Sequence, residues 1–351
     1  MGKAKSITEF SCPTPLGSDT ILLGHGSGGR LSAELLRDVF LPAFNNPSLA
    51  KLNDQAVVAV NGSRIAVTTD SFVVSPLFFP GGDIGSLAVH GTINDLAVGG
   101  AQPLFLSAAF ILEEGLPLEV LGKVVASMQR AAQGAGVQIV TGDTKVVEKG
   151  KGDGLFVNTT GIGSLAFGVE MSADRAQPGD KVLLSGSIGD HGIAILAQRE
   201  GLEFESTIES DSAALHSLVS NMLASSKNIR CMRDPTRGGL SSSLNEIAAQ
   251  SRVGIELEET AIPVRDEVKG ACEMLGLDPL YVANEGKLIA IVDPDSSAVV
   301  LKAMRNHPLG SGARVIGSVT KSNPAMVTMR TQLGTTRIVD MLAGDQLPRI
   351  C

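Results

Sequence analysis

Three acidic residues in the first half of the chain have the type and placement that metal-assisted phosphoryl chemistry requires. Asp70 and Asp143 are each predicted at the end of a strand, and Asp95 lies with Asn94 on a glycine-rich helix. Carboxylates that converge from the ends of elements bind a hard cation such as Mg²⁺, which commonly also holds phosphate groups. Each aspartate taken singly is more typical of a helix cap or a turn, so the prediction of a metal site depends on the whole set.

A glycine-rich loop before the first predicted helix is a candidate phosphate-binding segment. It reads Gly-His-Gly-Ser-Gly-Gly over 24–29 and contains Ser27 and Gly28. It lacks the closing Gly-Lys-Ser/Thr of a Walker loop, yet its backbone N–H groups can still face phosphate oxygens. A flexible connector explains the same composition. The helix start predicted over 234–240 is a second candidate anion site, with simple capping as an equal alternative.

Two further side chains are candidates for handling charge or protons. Lys145, two residues beyond Asp143, can offset the charge of a transferred phosphoryl group, or it is a solvated lysine at a strand end. Glu285 precedes an apolar strand, where a cleft would make it a general base and open solvent would make it an ordinary turn residue. Both pairs of alternatives stay open at this point.

The chain ends on a cysteine, Cys351, in the segment Leu-Pro-Arg-Ile-Cys. A terminus is normally the most mobile part of a domain, so a thiol there can be modified at one place and carried to another. The cysteines Cys12, Cys231 and Cys272 show no CxxC spacing, and we predict neither a zinc site nor a disulfide framework. A reducing, cytoplasmic location fits this pattern and would keep Cys351 a free thiol. The alternative is a tail whose last residue has no role.

Composition excludes several classes of partner. The 351 residues include 29 Lys and Arg against 37 Asp and Glu, which gives a formal net charge of −8. Nucleic-acid binding is not expected, because it requires a basic surface and, for single strands, aromatic stacking platforms, whereas aromatic residues are 3% here. We predict no membrane span, because no run of about 18 apolar residues occurs.

The elements that must position these residues mix strands and helices without a regular order. An Asn-Gly pair at 61–62 predicts a hairpin. Strands are predicted over 55–60, 64–68, 104–112, 137–141, 155–162, 181–185, 254–257, 288–292 and 314–319. Helices are predicted over 32–44, 84–98, from 117 to the glycines at 134 and 136, and over 192–199, 213–224, 239–250 and 295–306. Neither half alternates strand and helix as a doubly wound sheet does, so the fold class is α+β.

Several of these stretches together resemble one family, the HypE carbamoyl dehydratases of NiFe-hydrogenase maturation. The resemblance runs from about residue 23 to the last residue, and its most specific part is the Asp-Thr-Lys stretch combined with the terminal cysteine. The matching stretches are His25–Gly29, Thr69–Ser71, Pro76–Gly82, Asn94–Asp95, Val140–Val147, Gly189–Gly192, Ala283–Leu288 and Pro348–Cys351.

The resemblance implies the two-domain fold of aminoimidazole ribonucleotide synthetase and selenophosphate synthetase. In that fold the N-terminal domains of two chains pair into a dimeric β-barrel, so a homodimer is expected. We expect an N-terminal extension over 1–22, an ATP-binding and dimerisation domain over 23–172, a C-terminal α+β domain over 173–335, and a mobile tail over 336–351 that ends in Cys351.

The implied activity is ATP-dependent dehydration of a carbamoyl group carried as a thiocarboxamide on Cys351. The product would be a thiocyanate, the cyanide donor for the hydrogenase iron. The implied partners are the carbamoyltransferase HypF and the HypC–HypD scaffold complex. The alternatives are a synthetase of the same superfamily that acts on a free small molecule, for which Cys351 would be dispensable, and a scaffold with a vestigial nucleotide site.

The resemblance also assigns roles to individual residues. Cys351 would carry the substrate, Lys145 would orient and polarise it, and Glu285 would remove the proton. The carboxylates expected to hold the Mg²⁺ of MgATP are Asp70, Asp95 and Asp143. The residues expected at the nucleotide are Ser27, Gly28, Asp70, Asn94, Asp95, Thr141, Gly142 and Asp143.

Overall fold

The computed structural model describes residues 20–44, 46–166, 168–202, 207–344, 347 and 349–351. Cys12, nearly all of the predicted extension over 1–22, and Pro348 of the predicted tail lie outside the described residues. The described chain forms two halves of mixed helix and strand, each built around one large sheet. The α+β class predicted from the sequence is confirmed.

The first half is built on a five-stranded sheet in the order β1-β2-β7-β5-β6, with β5 and β6 parallel and the other neighbours antiparallel. Within the described residues this sheet does not close on itself, so β1 and β6 are its edges. Its strands and the two short strands that follow β2 are β1 (Ala56–Val60), β2 (Ser63–Phe72), β3 (Phe78–Phe79), β4 (Gly82–Asp83), β5 (Gln102–Glu113), β6 (Gln138–Val147) and β7 (Leu155–Ser164).

The predicted hairpin at Asn61 and Gly62 is confirmed. Both residues adopt positive φ angles, 49° and 83°. Two successive positive φ values form the type I′ turn, whose twist matches that of the flanking strands. Val60 therefore pairs directly with Ser63, and the turn sets the register of β1 on β2.

Two long helices cover one face of the first sheet. The helices of this half are α1 (Arg30–Leu35), α2 (Leu41–Phe44), α3 (Ile84–Val98) and α4 (Leu118–Ala135). Asp83 caps α3 by accepting hydrogen bonds from the amides of Gly85 at 2.8 Å and Ser86 at 3.2 Å. Gly136 ends α4 with a φ of 69°, as glycine commonly does at this position. The side chains between α3, α4 and the sheet form the core of the half.

Several predicted boundaries differ from the structure. The strand predicted to stop at 68 continues to Phe72, and the one predicted to stop at 141 continues to Val147. Asp70 and Asp143 consequently lie inside strands and not after them. The strands extend because their neighbours in the sheet go on pairing with them, which a local pattern cannot reveal. The helix predicted over 32–44 is interrupted by a π-helical segment, Leu36–Phe40, between α1 and α2.

The second half is built on a seven-stranded sheet in the order β14-β13-β10-β12-β8-β11-β9. Its strands are β8 (Lys181–Leu184), β9 (Ile229–Arg233), β10 (Gly254–Glu258), β11 (Ile289–Val292), β12 (Arg314–Thr320), β13 (Met326–Arg330) and β14 (Thr336–Ile338). Its helices are α5 (Asp190–Glu200), α6 (His216–Ser225), α7 (Gly239–Ser251), α8 (Asp266–Leu275) and α9 (Pro294–Arg305). Among the described residues, none of the helices is long and apolar enough to cross a membrane.

The chain after β14 crosses back from the second half towards the first. The main chain of Val339 and Asp340 accepts hydrogen bonds from side chains of α7. The carbonyl of Leu342 then accepts a hydrogen bond from the amide of Arg30, at the start of α1. The region predicted as a tail therefore begins with a strand of the second sheet and continues between the two halves.

Candidate active site

Three carboxylates from three different segments meet at the junction of the two halves. Asp54 precedes β1, Asp95 lies on α3, and Asp234 follows β9, and their oxygen atoms lie within 4.8 Å of one another. Arg233 forms an ion pair with Asp54 and donates a hydrogen bond to the carbonyl of Leu52 at 2.6 Å. The first half thus contributes Asp54 and Asp95 to the cluster, and the second half contributes Asp234 and the cation Arg233.

The carboxylates of this cluster raise one another's pKa values. Burial raises the pKa of Asp234 to about 8, with the charge of Asp54 adding to the effect. Burial also raises the pKa of Asp95 well above its usual range. The negative charges of Asp234, Asp70 and Asp54 raise it further. Like charges held this close in a poorly solvated site favour a bound cation. The residues present therefore fit a divalent metal ion with oxygen ligands.

Asp70 and Arg237 lie next to this cluster. Burial raises the pKa of Asp70, while the positive charge of Arg237 opposes the shift. Arg237 lies between β9 and α7 and borders the cavity that holds the end of the chain. Its pKa is raised, first by the charge on Cys351 and then by those of Asp70 and Glu285. A permanent cation therefore faces the same space as the acidic groups.

Glu285 is buried beside the cluster, and Asn94 holds its main chain in place. The Asn94 amide nitrogen donates to the carbonyls of Glu285 at 3.1 Å and Ala213 at 3.0 Å, and its oxygen accepts from the amide of Leu215 at 2.8 Å. Burial raises the pKa of Glu285 well above its usual range, and the charges of Asp234, Asp70 and Asp211 add to the shift. In this structure Asn94 joins α3 to the second half rather than presenting its amide to a cleft.

The end of the chain occupies the same site. The amide of Val73 donates to the carbonyl of Cys351 at 3.0 Å, and that of Ser75 donates to the carbonyl of Arg349 at 3.2 Å. These two bonds pair the tail with the segment after β2 like an added strand. Ile350 is 4% exposed and Cys351 is 8% exposed. A terminus expected to be mobile is thus packed into the core of the first half.

The Cys351 thiol lies within the electrostatic reach of the site. Burial raises its pKa to about 12, the charge of Arg237 lowers it, and the charges of Glu285, Asp70 and Asp234 raise it. A cavity of about 160 Å³ remains around the tail, and Ser27 and Arg237 contribute to its lining. That volume is smaller than the about 300 Å³ at which small-molecule pockets usually begin. The docked tail therefore fills much of the cleft.

Ser27 of the glycine-rich loop lines this cavity, and Gly28 follows it; that they bind a nucleotide stays a prediction. The Ser27 hydroxyl donates to the carbonyl of Gly344 at 2.9 Å, which ties the loop to the tail. Gly28 has a φ of 73°, and a Cβ there would lie 2.6 Å from the carbonyl oxygen of Arg237. Its amide donates to the Ser32 hydroxyl at 3.0 Å. Only glycine allows the loop to approach the Arg237 segment this closely.

A single chain does not bring the β6 residues to this site. Asp70 of β2 and Gly142 of β6 lie in the same row across the sheet, with two strands between them. Asp70 pairs with Thr159 of β7, Thr159 pairs with Ala108 of β5, and Ala108 pairs with Gly142. Three strand spacings separate Asp70 from Gly142, a distance of about 14 Å. The predicted metal trio of Asp70, Asp95 and Asp143 is therefore not assembled within one chain.

Asp143 and Lys145 also point away from the helices. They pair with Ala109 and Ile111, which alternate with the helix-facing residues of β5. Both side chains are exposed, and they form an ion pair with each other at 2.6 Å. Thr141, two residues before Asp143, shares its face of the sheet. These residues lie on the uncovered face of an edge strand.

Three charged residues of the site were not assigned to it from the sequence: Asp54, Asp234 and Arg237. Asp54 immediately precedes a predicted strand and carried no local motif. Asp234 and Arg237 lie in the predicted helix start over 234–240, for which capping was an equal alternative. Their roles depend on the packing of the second half against the first, which no spacing within either segment encodes.

Comparison with known proteins places this geometry in a family. The model for the AIR synthase related protein N-terminal domain matches residues 52–165, and the model for the C-terminal domain matches residues 177–329. Carbamoyl dehydratase HypE of Cupriavidus necator is 58% identical over 343 residues, which cover 97% of this chain and 98% of that protein. The chain belongs to the HypE family.

Solved HypE structures share the fold. The structure described as a HypE–HypF complex matches with a TM-score of 0.84 at 50% identity, covering 88% of this chain and 99% of the matched chain. HypE in complex with ATP matches with a TM-score of 0.80 at 52% identity, covering 95% of this chain and 100% of the matched chain. The resemblance to HypE and the two-domain fold inferred from the motifs are confirmed.

Proposed function

We propose that this chain is an ATP-dependent carbamoyl dehydratase that acts on its own C-terminal cysteine. The observation that carries this proposal is the placement of the Cys351 thiol, buried at a site built from Asp70, Glu285 and Arg237. An enzyme for a free substrate has no need of a terminal thiol at this position. The HypE relatives, named as carbamoyl dehydratases, support the same activity.

The reaction converts a thiocarboxamide on sulfur into a thiocyanate. The carbamoyl oxygen takes the γ-phosphoryl group of ATP, ADP leaves, and the nitrogen loses the first of its two protons. A base then removes the second proton from nitrogen as the C–O bond breaks and phosphate leaves. The balance is Cys–S–CO–NH₂ plus ATP giving Cys–S–C≡N, ADP, phosphate and one proton. Phosphorylation is required because an amide oxygen is otherwise a poor leaving group.

Arg237 and Glu285 have the chemistry that these two steps need. A guanidinium stabilises negative charge that develops on a phosphoryl oxygen, and it stays protonated throughout. A buried carboxyl with a raised pKa is a stronger base once ionised than an exposed one. We assign charge stabilisation to Arg237 and retain the predicted role of Glu285 as the proton acceptor.

Asp54, Asp95 and Asp234, with Asp70 beside them, would hold Mg²⁺. The metal would neutralise these carboxylates and the phosphate charges of ATP, which is the chemistry that it supplies to phosphoryl transfer. The mutual repulsion of the cluster supports this assignment. The described HypE complex with ATP supports a nucleotide at the site of this chain.

Lys145 and Asp143 would act across a homodimer. They lie on the exposed face of the first sheet, whose edge strand β6 pairs on one side only among the residues that the structure describes. Apolar side chains on that face, including Ile111 and Ile162, are 47% and 40% exposed. Two such faces packed together form the predicted β-barrel and bury this surface. In that arrangement Asp143 and Lys145 of one chain would complete the active site of the other chain.

The remaining expectations concern partners, location and domain limits. We expect HypF to load Cys351; a relative solved as a HypE–HypF complex supports HypF as a partner. HypC–HypD would receive the cyanide, and a cytoplasmic location would keep the thiol reduced. We propose domains at 23–172 and 173–335, a division that the family models matched at 52–165 and 177–329 support.

Intact-protein mass spectrometry tests the proposal. The chain is mixed with the carbamoyltransferase, carbamoyl phosphate and MgATP. The expected result is a mass gain of one carbamoyl group followed by the loss of one water, with both changes absent in Cys351→Ala. No adduct on Cys351, with ATP turnover retained, would instead support a synthetase acting on a free small molecule.

A further inference from the structure

We propose that two side chains of α5, His191 and Arg199, form a receptor for the main chain of the tail and act as positioning residues for the Cys351 sulfur. The inference rests on the proposed function, because it concerns how the substrate-bearing tail is held at that site. His191 was singled out in the sequence within the stretch Gly189–Gly192, but neither the metal nor the nucleotide chemistry uses it.

His191 presents one defined N–H group to the tail. Its Nε2 lies 2.8 Å from the carbonyl oxygen of Ile350, and its Nδ1 lies 2.8 Å from the Ser210 hydroxyl. A carbonyl can only accept, so Nε2 carries the proton and Nδ1 accepts from Ser210. The Ser210 oxygen in turn accepts from the amide of Ser212 at 3.1 Å. The ring is fully buried with Phe79 at its edge, so its orientation is held by packing as well.

Arg199 binds the next carbonyl along the tail. Its Nη2 donates to the carbonyl of Arg349 at 2.7 Å, and its Nε donates to the carbonyl of Ser75 at 2.9 Å. Ser75 is also the residue whose amide donates to Arg349. One guanidinium therefore clamps the tail to the segment with which the tail pairs. His191 and Arg199 are about two helical turns apart on one rigid element.

The first half holds Arg349 from the other side. The Arg349 side chain donates to the carbonyl of Val73 at 3.0 Å and forms an ion pair with Asp153. Arg349 has a φ of 55°, a conformation that a residue with a side chain adopts only when its surroundings hold it there. The tail main chain is thus fixed between α5 and the segment after β2.

Within the described residues, the hydrogen bonds that His191 and Arg199 make to the tail go to main-chain oxygens, the carbonyls of Ile350 and Arg349, and not to the sulfur. The receptor therefore holds the tail in the same way whether Cys351 carries a thiol, a carbamoyl group or a cyano group. When the tail leaves, the buried N–H of His191 loses its acceptor, so departure is opposed without any contact to the substituent. Removing either side chain should increase the fraction of time that the tail spends undocked.

Thiol labelling of the full-length chain in a Cys12→Ser background tests this receptor. Iodoacetamide is added under native conditions, and the rate at Cys351 is followed by mass spectrometry. We expect His191→Ala and Arg199→Ala to raise that rate about tenfold, the equivalent of one lost hydrogen bond. His191→Gln, which keeps a donor near the Nε2 position, should restore a rate near that of the parent chain. Gln198→Ala, an exposed neighbour on α5, is the matched control.

Labelling of the two buried cysteines shows whether each variant is folded. Cys231 and Cys272 are buried, so their labelling reports a loss of fold. If His191→Ala exposes them, Arg199→Ala, at a half-buried position, decides the outcome. Unchanged Cys351 labelling in folded Arg199→Ala and His191→Ala chains would overturn the proposal. Labelling requires no carbamoyl group, so this test of tail docking gives a result even if Cys351 is never carbamoylated.

Discussion

At the scale of single residues, the burial of Cys351 separates two states of its thiol. In the docked tail the pKa of Cys351 is raised to about 12, and the thiol is protonated. Attack on a carbamoyl donor requires the thiolate, which a solvated cysteine forms at a pKa of about 8.5. Loading of Cys351 therefore belongs to the undocked tail, and dehydration belongs to the docked one.

This difference in pKa makes docking depend on pH. The docked thiol has the higher pKa, so docking is fully favourable below about pH 8.5 and weakens as pH rises from there towards 12. We expect trypsin cleavage after Arg349, measured by loss of the last two residues, to accelerate above about pH 8.5. Cys351→Ser, which has no thiol to ionise, is the control. Identical pH profiles for the two chains would contradict the prediction.

The acidic cluster predicts opposite effects of one substitution with and without metal. Asp95→Asn removes a charge that its neighbours destabilise, so without metal it should raise the free energy of unfolding at pH 7 by on the order of 1 kcal/mol. The sign follows because the folded-state pKa of Asp95 is raised. In Mg²⁺ the parent chain should gain stability and the variant should not, as thermal unfolding in EDTA and in Mg²⁺ would measure. Asp266→Asn, at an exposed site on α8 away from the cluster, is the control.

A Mg²⁺-dependent gain in Asp95→Asn equal to that of the parent chain would remove Asp95 from the metal set. Asp54 and Asp234 would then need to be tested singly. The structure rather than the sequence selected these two residues, because their carboxylates converge only when β9 packs against the first half.

At the scale of secondary-structure elements, α3 determines where Asn94 and Asp95 stand. Its start is defined locally, by the cap at Asp83. Its position is defined by burial, since the sheet covers one side and the second half the other. Local signals of this kind, like the Asn61–Gly62 turn, could be predicted because they depend on a few consecutive residues.

The cap of α3 should make a measurable contribution to stability. Asp83→Ala leaves the amides of Gly85 and Ser86 without their acceptor and should lower the free energy of unfolding by about 1–2 kcal/mol. Asp83→Asn keeps the accepting oxygen and should lose much less. Urea denaturation of both variants measures the difference, and equal losses would show that the cap does not stabilise α3.

At the scale of the whole molecule, the site described here lacks the residues of β6. Lys145 lies on the uncovered face of the first sheet, about three strands from Asp70. The same face carries apolar side chains that are exposed to water in the single chain: Val58, Phe105, Ile111 and Ile162. A homodimer through this face would bury them and deliver Lys145 to the partner's site.

Mixed dimers test whether Lys145 acts across the interface. Lys145→Ala and Asp95→Asn should each be inactive alone, and co-expressed chains form hybrids with one intact and one doubly altered site. In an equal mixture about half of the dimers are hybrids, and each hybrid has one intact site of two. The mixture should therefore recover about a quarter of parental activity. Differently tagged chains allow the hybrid to be isolated and assayed. No recovery in the isolated hybrid would place Lys145 in the site of its own chain.

The sequence by itself determined the α+β class, the hairpin, the glycine that ends α4, and the family, because each depends on consecutive residues or short motifs. It also singled out Cys351, Glu285, Asp70 and Asp95. Only the tertiary structure decided that Asp54, Asp234 and Arg237 join them, that β6 carries Asp143 and Lys145 away from them, and that α5 holds the tail. These outcomes depend on contacts between distant segments, and the free energy of such contacts comes from burial and charge in the assembled molecule.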